Sequence, residues 1–412
     1  MTSDSTLLVQ LFDPSGLWID VGHLSRQADR SWFSSFESYW ASHPRPVLGQ
    51  RFEERGRDWR PSANVALPTW FSHLLPEGRL RGEIAREAGV NAKREALLIE
   101  WIGGDDLPGA LRLIPADAAD GDPTGEDAHD GAPTKQGPSP LKFSLAGVQV
   151  KFSVNQNAKG LTLPASGEAG HFIAKFPDPR PAYRLVPEAE FAGLELARKS
   201  GIRTADAYLA PTTDVSGLPA WAHETPGNAL IVKRFDRDGL TGRVHIEEFA
   251  QVLDVPSNVE SAKYTRANCE TFAKVAAAFG GPSAALEVID RIVLNVLLGN
   301  GDAHSKNWAL RYPDGRNPEL SPAYDIVPTV LFVPKDDLGV KLNGSKSFDD
   351  VRVSSFDRLG AVAGLSSLDT RDRCRHAIER VIQAWPVLKD CLGRDAFDRL
   401  TARRDELALL SS

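Results

Sequence analysis

Between Pro115 and Pro140 the chain carries no Val, Ile, Leu, Met or aromatic residue, only a run dominated by Ala, Asp, Gly and Pro. Nothing in such a segment offsets the conformational entropy of ordering it, so 115–140 reads as a flexible acidic linker or long loop. The folded mass must come from residues 1–114 and 141–412. At roughly 100–200 residues per domain, a chain of 412 residues has room for several domains.

Hydrophobic residues make up 42% and charged residues 25%, which excludes wholesale disorder. The net charge of -7 removes the global basic footprint that drives unaided binding to nucleic acid. Any DNA contact then needs a local patch or a basic partner. Cys269, Cys374 and Cys391 are widely spaced with no CxxC, which argues against a disulfide framework and against a cysteine zinc site. No apolar run reaches the roughly 18–20 residues of a membrane span, and no signal-like segment opens the chain, so the sequence reads as soluble and cytoplasmic.

The first part opens with Leu7, Val9 and Leu11 in alternation, a Pro14-Ser15-Gly16 turn and a second strand-like run, the pattern of a hairpin. Helical spacing takes over from Ala66 to Glu100, giving a small α+β unit over 1–114. In the second part short strands are expected at Ser144–Ser153 and His171–Phe176. A helix follows with Pro187 at its start and Gly201 at its end. Leu230–Phe235 reads as a strand, and Ile246, Phe249, Ala250 and Leu253, at i, i+3, i+4 and i+7, predict an amphipathic helix. Leu286–Leu298 predicts a mostly buried helix. A C-terminal stretch from Leu368 to Leu410 reads as helical, with Ile378, Ile382 and Trp385 on one packing face.

Chemistry concentrates just after the buried helix, in Gly299-Asn300-Gly301-Asp302-Ala303-His304-Ser305-Lys306-Asn307. Asp302 and Asn307 stand five apart, the interval that separates the hydroxyl-accepting Asp from the magnesium-holding Asn of a kinase catalytic loop. A polar turn using Gly, Asn and Asp for closure has the same composition. Downstream, Asp325 in Tyr324-Asp325-Ile326 lies where a β-hairpin would return beside that loop, the place of a second magnesium ligand. Lys175, on the His171–Phe176 strand, is the candidate cation for ATP phosphates, with Glu190 or Glu188 on the next helix as its partner. An ordinary edge-strand lysine is the competing reading. Neither GxGxxG nor GxxxxGK[ST] precedes Lys175, which excludes the usual phosphate covers. In their place stands Ser144-Leu145-Ala146-Gly147-Val148-Gln149-Val150-Lys151, a short loop whose N–H groups suit phosphate.

The ordered set SLAGVQVK, HFIAKFP, EAEFAGLELARKSGI, VKRFDR, EEFAQVL, GNGDAHSKN and AYDIVP resembles the HipA family, kinase toxins of bacterial type II toxin-antitoxin systems. The segments ALPTWFSHLLPEG and GGDDLPGALRL extend the resemblance into the first part. It implies an α+β, protein-kinase-like two-lobed fold: an N-terminal subdomain at 1–114, the linker at 115–140, a kinase N-lobe at 141–235 and a helical C-lobe at 236–412. By resemblance Asp302 is the catalytic base, and Asn307 and Asp325 hold Mg2+. ATP is contacted by Ser144, Ala146, Gly147, Val148, Gln149, Lys151 and Lys175, by Lys233 and Phe235 at the hinge, and by His304 and Lys306. Ser144 matches a serine that family members phosphorylate on themselves.

The resemblance further implies a small helix-turn-helix antitoxin, similar to HipB, DNA contact mainly through that antitoxin, and a translation component such as an aminoacyl-tRNA synthetase as substrate. Two other functions fit parts of the pattern. One is a nucleotide-binding co-repressor acting within an antitoxin–DNA complex. The other is a small-molecule phosphotransferase of the aminoglycoside or choline type, which shares the Asp-to-Asn spacing but lacks the SLAGVQVK loop.

Overall fold

The computed structural model describes residues 4–104, 106–118, 150–157, 160–164, 168–219, 225–239 and 242–411. Most of the 115–140 segment, and the 144–149 part of the phosphate-loop candidate with Ser144, Ala146, Gly147, Val148 and Gln149, lie outside the described residues.

The first sheet holds five strands in the order β4-β3-β2-β1-β5: β1 Ser5–Phe12, β2 Trp18–Gln27, β3 Arg30–Ser35, β4 Ser62–Asn64 and β5 Leu111–Pro115. The expected hairpin is present, with Leu7 facing Leu24 and Leu11 facing Ile19 across antiparallel β1 and β2. Five helices accompany it: α1 Glu37–Ala41, α2 Gln50–Arg55, α3 Thr69–Ser72, α4 Gly78–Ala88 and α5 Glu95–Ile102. Of these, α3 and α4 fall inside the stretch predicted helical, and α5 runs two residues beyond its end.

A second sheet, ordered β10-β7-β6-β8-β11-β9, is made from β6 Lys151–Asn157, β7 Gly160–Thr162, β8 Phe172–Lys175, β9 Ala207–Pro211, β10 Val215–Ser216 and β11 Asn228–Lys233. Leu7, Val9, Leu11 and Leu113 of the first sheet share one apolar cluster with Phe152, Val154, Ala174, Phe176 and Ile231 of the second. The two sequence parts thus bury their apolar faces together instead of forming separate cores.

The helix α6, Val186–Lys199, starts on Val186-Pro187 as expected and packs against the segment that carries Asp325. Contact is possible because position 193 is glycine: a Cβ there would stand 2.1 Å from the Ile326 carbonyl oxygen. Gly193→Val should push α6 off that segment and lower the melting temperature by several degrees; thermal unfolding reads the change, and an unchanged value would show that the contact is slack.

Beyond β12 Arg237–Asp238 and β13 Gly242–Arg243, a small sheet joins β14 His245–Glu248, β15 Ala309–Tyr312 and β16 Glu319–Leu320. The amphipathic helix predicted through Ile246 is therefore wrong in its first turn. Ile246 pairs with Arg311 in the β14–β15 ladder, and only Phe249–Val252 is helical, as α7. The ladder wins because the end of the loop 299–307 and the residue after it lie alongside: Phe249 N–H donates to Trp308 O and Ala250 N–H to Ser305 O.

After α8, Ala262–Thr265, comes α9, Cys269–Leu298, broken at Gly281 (φ 72°) ahead of Pro282. Its second half is sheathed by apolar residues of the larger cluster. Asp290, which interrupts it, is buried but paired with Arg373 and Arg380, the latter at 2.8 Å. The remaining helices, α10 Asp357–Val362, α11 Ser367–Ala384, α12 Val387–Leu392 and α13 Arg394–Asp405, complete the helical lobe. The predicted packing face is off by part of a turn: Cys374, Ala377, Ile378 and Val381 are buried, whereas Ile382 is 41% exposed. Cys269, Cys374 and Cys391 are free thiols. Among the described residues no helix is long and apolar enough to cross a membrane.

Candidate active site

A cleft of about 400 Å³ opens between the second sheet and the helical lobe. Lys175 occupies its sheet wall. β8 lies between β6 and β11, so this lysine is interior to the sheet and not on an edge. Its Nζ donates to Glu190 Oε1 of α6 at 2.6 Å and to Asp325. Glu188, the other partner considered, accepts instead from Asn228. Lys151 stands directly across the β6–β8 ladder from Lys175.

Burial works against charge throughout this cluster. It lowers the Lys151 pKa, with Asp325 opposing. On Lys175 the desolvation is outweighed by Asp325 and Glu190, which keep the ammonium above the usual lysine value. Asp325 is desolvated too, yet Lys175 and Lys151 hold it well below the ordinary carboxylate range, while burial pushes Glu190 up to about 7 against the pull of Lys175. Of the two carboxylates on Lys175, Asp325 is the one held more strongly in its ionised form. Asp325 lies beyond β16, not on it, and sits at φ 54° in the left-handed region. A non-glycine residue there is uncommon and clusters at functional sites.

The opposite wall is the loop after α9. Gly299, at φ 79°, closes the helix, and Gly299 N–H and Asn300 N–H both donate to Asn295 O at 2.9 Å. This turn delivers Asp302, whose carboxylate accepts a hydrogen bond from Tyr264 OH. His304 Nε2 lies 3.7 Å from the same oxygen. Burial, with help from Lys263, lowers the His304 pKa to about 3, and its Nδ1 accepts from Lys306 N–H at 3.3 Å. The neutral ring thus turns its Nε2–H toward Asp302. Asn307 donates from Nδ2 to Asp302 O at 2.8 Å, a bond that uses the amide nitrogen and not the oxygen.

Asn307 and Asp325 both line the cleft and offer hard oxygen donors, so the residues present fit a magnesium ion completed by phosphate and water. Among the described residues no cluster of three His, Cys, Asp or Glu forms a self-contained metal site. Lys233 and Phe235 also line the cleft. Lys233 N–H is already given to Asp206 O, and Phe235 O accepts from Arg311 Nε, so those two backbone groups are committed within the protein.

Sequence reasoning missed two contributions from the first part of the chain. Glu77, from the turn ahead of α4, enters the cleft and accepts from Lys306 Nζ at 2.6 Å and Lys263 Nζ at 3.3 Å. Burial disfavours its charge, but Lys306 and Lys263 hold the carboxyl well below its usual pKa. Asp106 reaches the cleft-lining segment 232–236, where Arg234 donates to it at 2.6 Å. Both residues belong to the two N-terminal motifs quoted above; their motif membership was legible, their destination across the fold was not.

Family models match most of the chain: a HipA N-terminal domain over residues 18–114 and a HipA-like C-terminal domain over residues 143–387. The chain belongs to the HipA family. The HipA-family chain is 38% identical over 371 residues to Y4dM of Sinorhizobium fredii, a protein whose name marks it as a proposed kinase, with 88% of each chain covered. It is 24% identical to the serine/threonine-protein kinase toxin HipA of Shewanella oneidensis over 67% of this chain and 69% of that one. A solved structure of Shewanella oneidensis HipA with HipB and operator DNA matches the fold with a TM-score of 0.70 at 20% identity, covering 98% of this chain and 96% of that one. The α+β, kinase-like architecture expected from the sequence is the one observed.

Proposed function

We propose that this chain is an ATP- and magnesium-dependent serine/threonine protein kinase that acts as the growth-inhibiting member of a toxin-antitoxin pair. The observation that carries the reading is Lys175 Nζ held between Glu190 and Asp325 across a cleft from Asp302, the ion-pair arrangement that kinases require for phosphoryl transfer. Shared family membership with a serine/threonine-protein kinase toxin supports the same conclusion.

In this reading Lys175 and Lys151 bind the ATP phosphates, and Lys306, which lines the same cleft, adds a further cation. Asp302 accepts the proton of the substrate hydroxyl as its oxygen attacks the γ-phosphorus and the bond to ADP breaks. Tyr264 and neutral His304 fix the carboxylate's orientation. Magnesium, held by Asn307 and Asp325, would neutralise charge on the phosphates when bound. Ser144 is the proposed site of self-phosphorylation. Its new charge, about -1.5 to -2, would compete with the triphosphate for Lys151 and Lys175. The proposed partner is a small helix-turn-helix antitoxin similar to HipB, with DNA reached through it. The proposed substrate is a translation component such as an aminoacyl-tRNA synthetase.

Intact-mass spectrometry after incubation with ATP and Mg2+, followed by peptide mapping, tests the reading. A phosphate should appear at Ser144, and chelation of the metal with EDTA should abolish the gain. No phosphate on the chain or on any added protein, despite bound ATP, would overturn the kinase reading and favour a co-repressor. Glu77→Gln removes a negative charge facing the proposed phosphate site. ATP should then bind up to about tenfold tighter, as expected for one screened charge at close range. Isothermal titration showing weaker binding would mean that Glu77 serves mainly to hold Lys306 in place.

A further inference from the structure

The segment that carries Asp325 packs along the loop that carries Asp302, and two of its side chains bond that loop's backbone. Tyr324, just before Asp325, donates from its hydroxyl to Lys306 O at 3.0 Å. Burial pushes this phenol up, so it stays a donor. Thr329, four residues after Asp325, accepts at Oγ1 from Gly301 N–H at 2.7 Å. One bond thus meets the loop immediately before Asn307 and the other immediately before Asp302.

Thr329 has a single hydroxyl hydrogen, and two acceptors lie within its reach, Gly299 O at 3.1 Å and the Asp336 carboxylate. With either one, the hydrogen is used inside the protein and a lone pair remains for Gly301. Glycine makes the close approach possible from both sides. A Cβ at Gly301 would strike the Asp336 carboxylate, and one at Gly339 would stand 2.8 Å from Ala303 N. Val330 N–H adds a backbone bond to Gly299 O at 3.2 Å.

Inside the loop Asp302 is already fixed relative to its neighbours. Its N–H donates to Asn300 Oδ1 at 3.1 Å, and its carbonyl accepts from His304 N–H and Asn307 Nδ2, both at 2.8 Å. Those bonds give the loop its shape but do not place it against Asp325, because the chain between them runs out through β15 and back through β16. We propose that Thr329 and Tyr324 are positioning residues for phosphoryl transfer, a two-point clamp that ties both ends of the Asp302–Asn307 loop to the Asp325 segment and sets the span between the two acids. Each acts through a backbone group of the loop, not on the reacting atoms. The inference rests on the kinase reading and names what holds its acids in register. A misplacement of about 1 Å can slow such a step by about 100-fold.

Thr329→Val keeps the branched shape of the side chain and removes the acceptor for Gly301. In the full chain with ATP and Mg2+, kcat should fall about 10- to 100-fold with KM for ATP close to wild type, since Lys151 and Lys175 stand on the other wall. Thr329→Ser, which keeps the hydroxyl, should restore most of kcat. In an Asp302→Ala background Thr329→Val should add no further loss, because residues that act as a unit are not additive. Tyr324→Phe releases the other end and should show the same fall in kcat alone, which carries the test should Thr329→Val fail to fold. A raised KM with kcat unchanged would make Thr329 a nucleotide contact, and full additivity with Asp302→Ala or no rescue by serine would make it a structural residue. Each of these results, or an unchanged kcat in both variants, overturns the clamp while transfer by the wild type upholds the kinase reading. If the wild type shows no Asp302-dependent transfer to any acceptor, the kinase reading fails, and amide hydrogen exchange still reads the clamp. Amides of residues 299–302 should exchange about two- to tenfold faster in Thr329→Val than in Thr329→Ser, the effect of one lost hydrogen bond, and equal exchange overturns it.

Discussion

Asp302→Ala should lower the rate of phosphoryl transfer by about 10²–10⁴-fold, the usual contribution of a positioned general base, with ATP affinity close to wild type. The separation of effects follows from the geometry. Asp302 touches Tyr264 and lies beside His304 on the helical-lobe wall, whereas the proposed phosphate cations Lys151 and Lys175 belong to the sheet wall. Desolvation raises the Asp302 pKa, with the Tyr264 hydrogen bond and Lys263 opposing. That direction makes it a better proton acceptor than a free aspartate. Its side chain is still 50% exposed, so removing it should cost little stability. His304 remains neutral above about pH 3 and contributes no charge of its own at neutral pH. Single-turnover transfer and nucleotide titration on the same protein check the prediction. Turnover at the wild-type rate would remove Asp302 from the role of base.

The parts of this site that sequence made legible share one property: local chain order places them. The Asp302 to Asn307 spacing lies within one loop, and the turn at Gly299 that presents it follows a run of apolar residues long enough to be read as a buried helix. Lys175 and Glu190 lie on consecutive elements, β8 and α6, so their pairing needed only a strand leading into a helix. The contributions of Glu77 and Asp106 depend on how the first sheet docks on the second. That docking is set by two apolar faces whose mutual orientation no periodicity encodes. The same limit produced the error at Ile246, where the apolar spacing matched a helix but an adjacent strand, β15, offered backbone partners. At Ile382 the spacing correctly marked a helix, and only the neighbouring elements determined which part of its surface is buried.

Arg234→Met should destabilise the fold by about 3–5 kcal/mol, the cost of breaking a buried ion network from one side, and should raise KM for ATP. Arg234 lies between Lys233 and Phe235 in the cleft-lining segment and is almost fully buried. It donates to Asp106 at 2.6 Å and to both oxygens of Asp236, at 3.0 and 2.8 Å. It also donates to Leu107 O at 3.2 Å. Arg237 bonds the same two aspartates, at 3.1 and 2.8 Å, and Gly109 N–H donates to Asp236 at 2.7 Å. Two arginines and two aspartates thus tie the loop 106–109 of the first part to the segment that would meet adenine. Burial alone would neutralise Asp236, but Arg234 and Arg237 hold its pKa well below the usual range. Methionine at 234 removes the guanidinium that bonds both aspartates and leaves two buried carboxylates with Arg237 as their hydrogen-bonding cation, an imbalance that favours separation of the loop 106–109 from the segment 232–236. Asp106→Asn supplies the contrast: the amide oxygen can still accept from Arg234, so the charge balance changes with the bond geometry largely kept. Its loss of stability should be smaller than that of Arg234→Met, and its KM for ATP should move in the same direction. Urea unfolding and steady-state kinetics on both variants separate the two effects. If Arg234→Met lost the expected stability yet kept wild-type KM, the network would join the two parts of the chain without setting the shape of the nucleotide cleft.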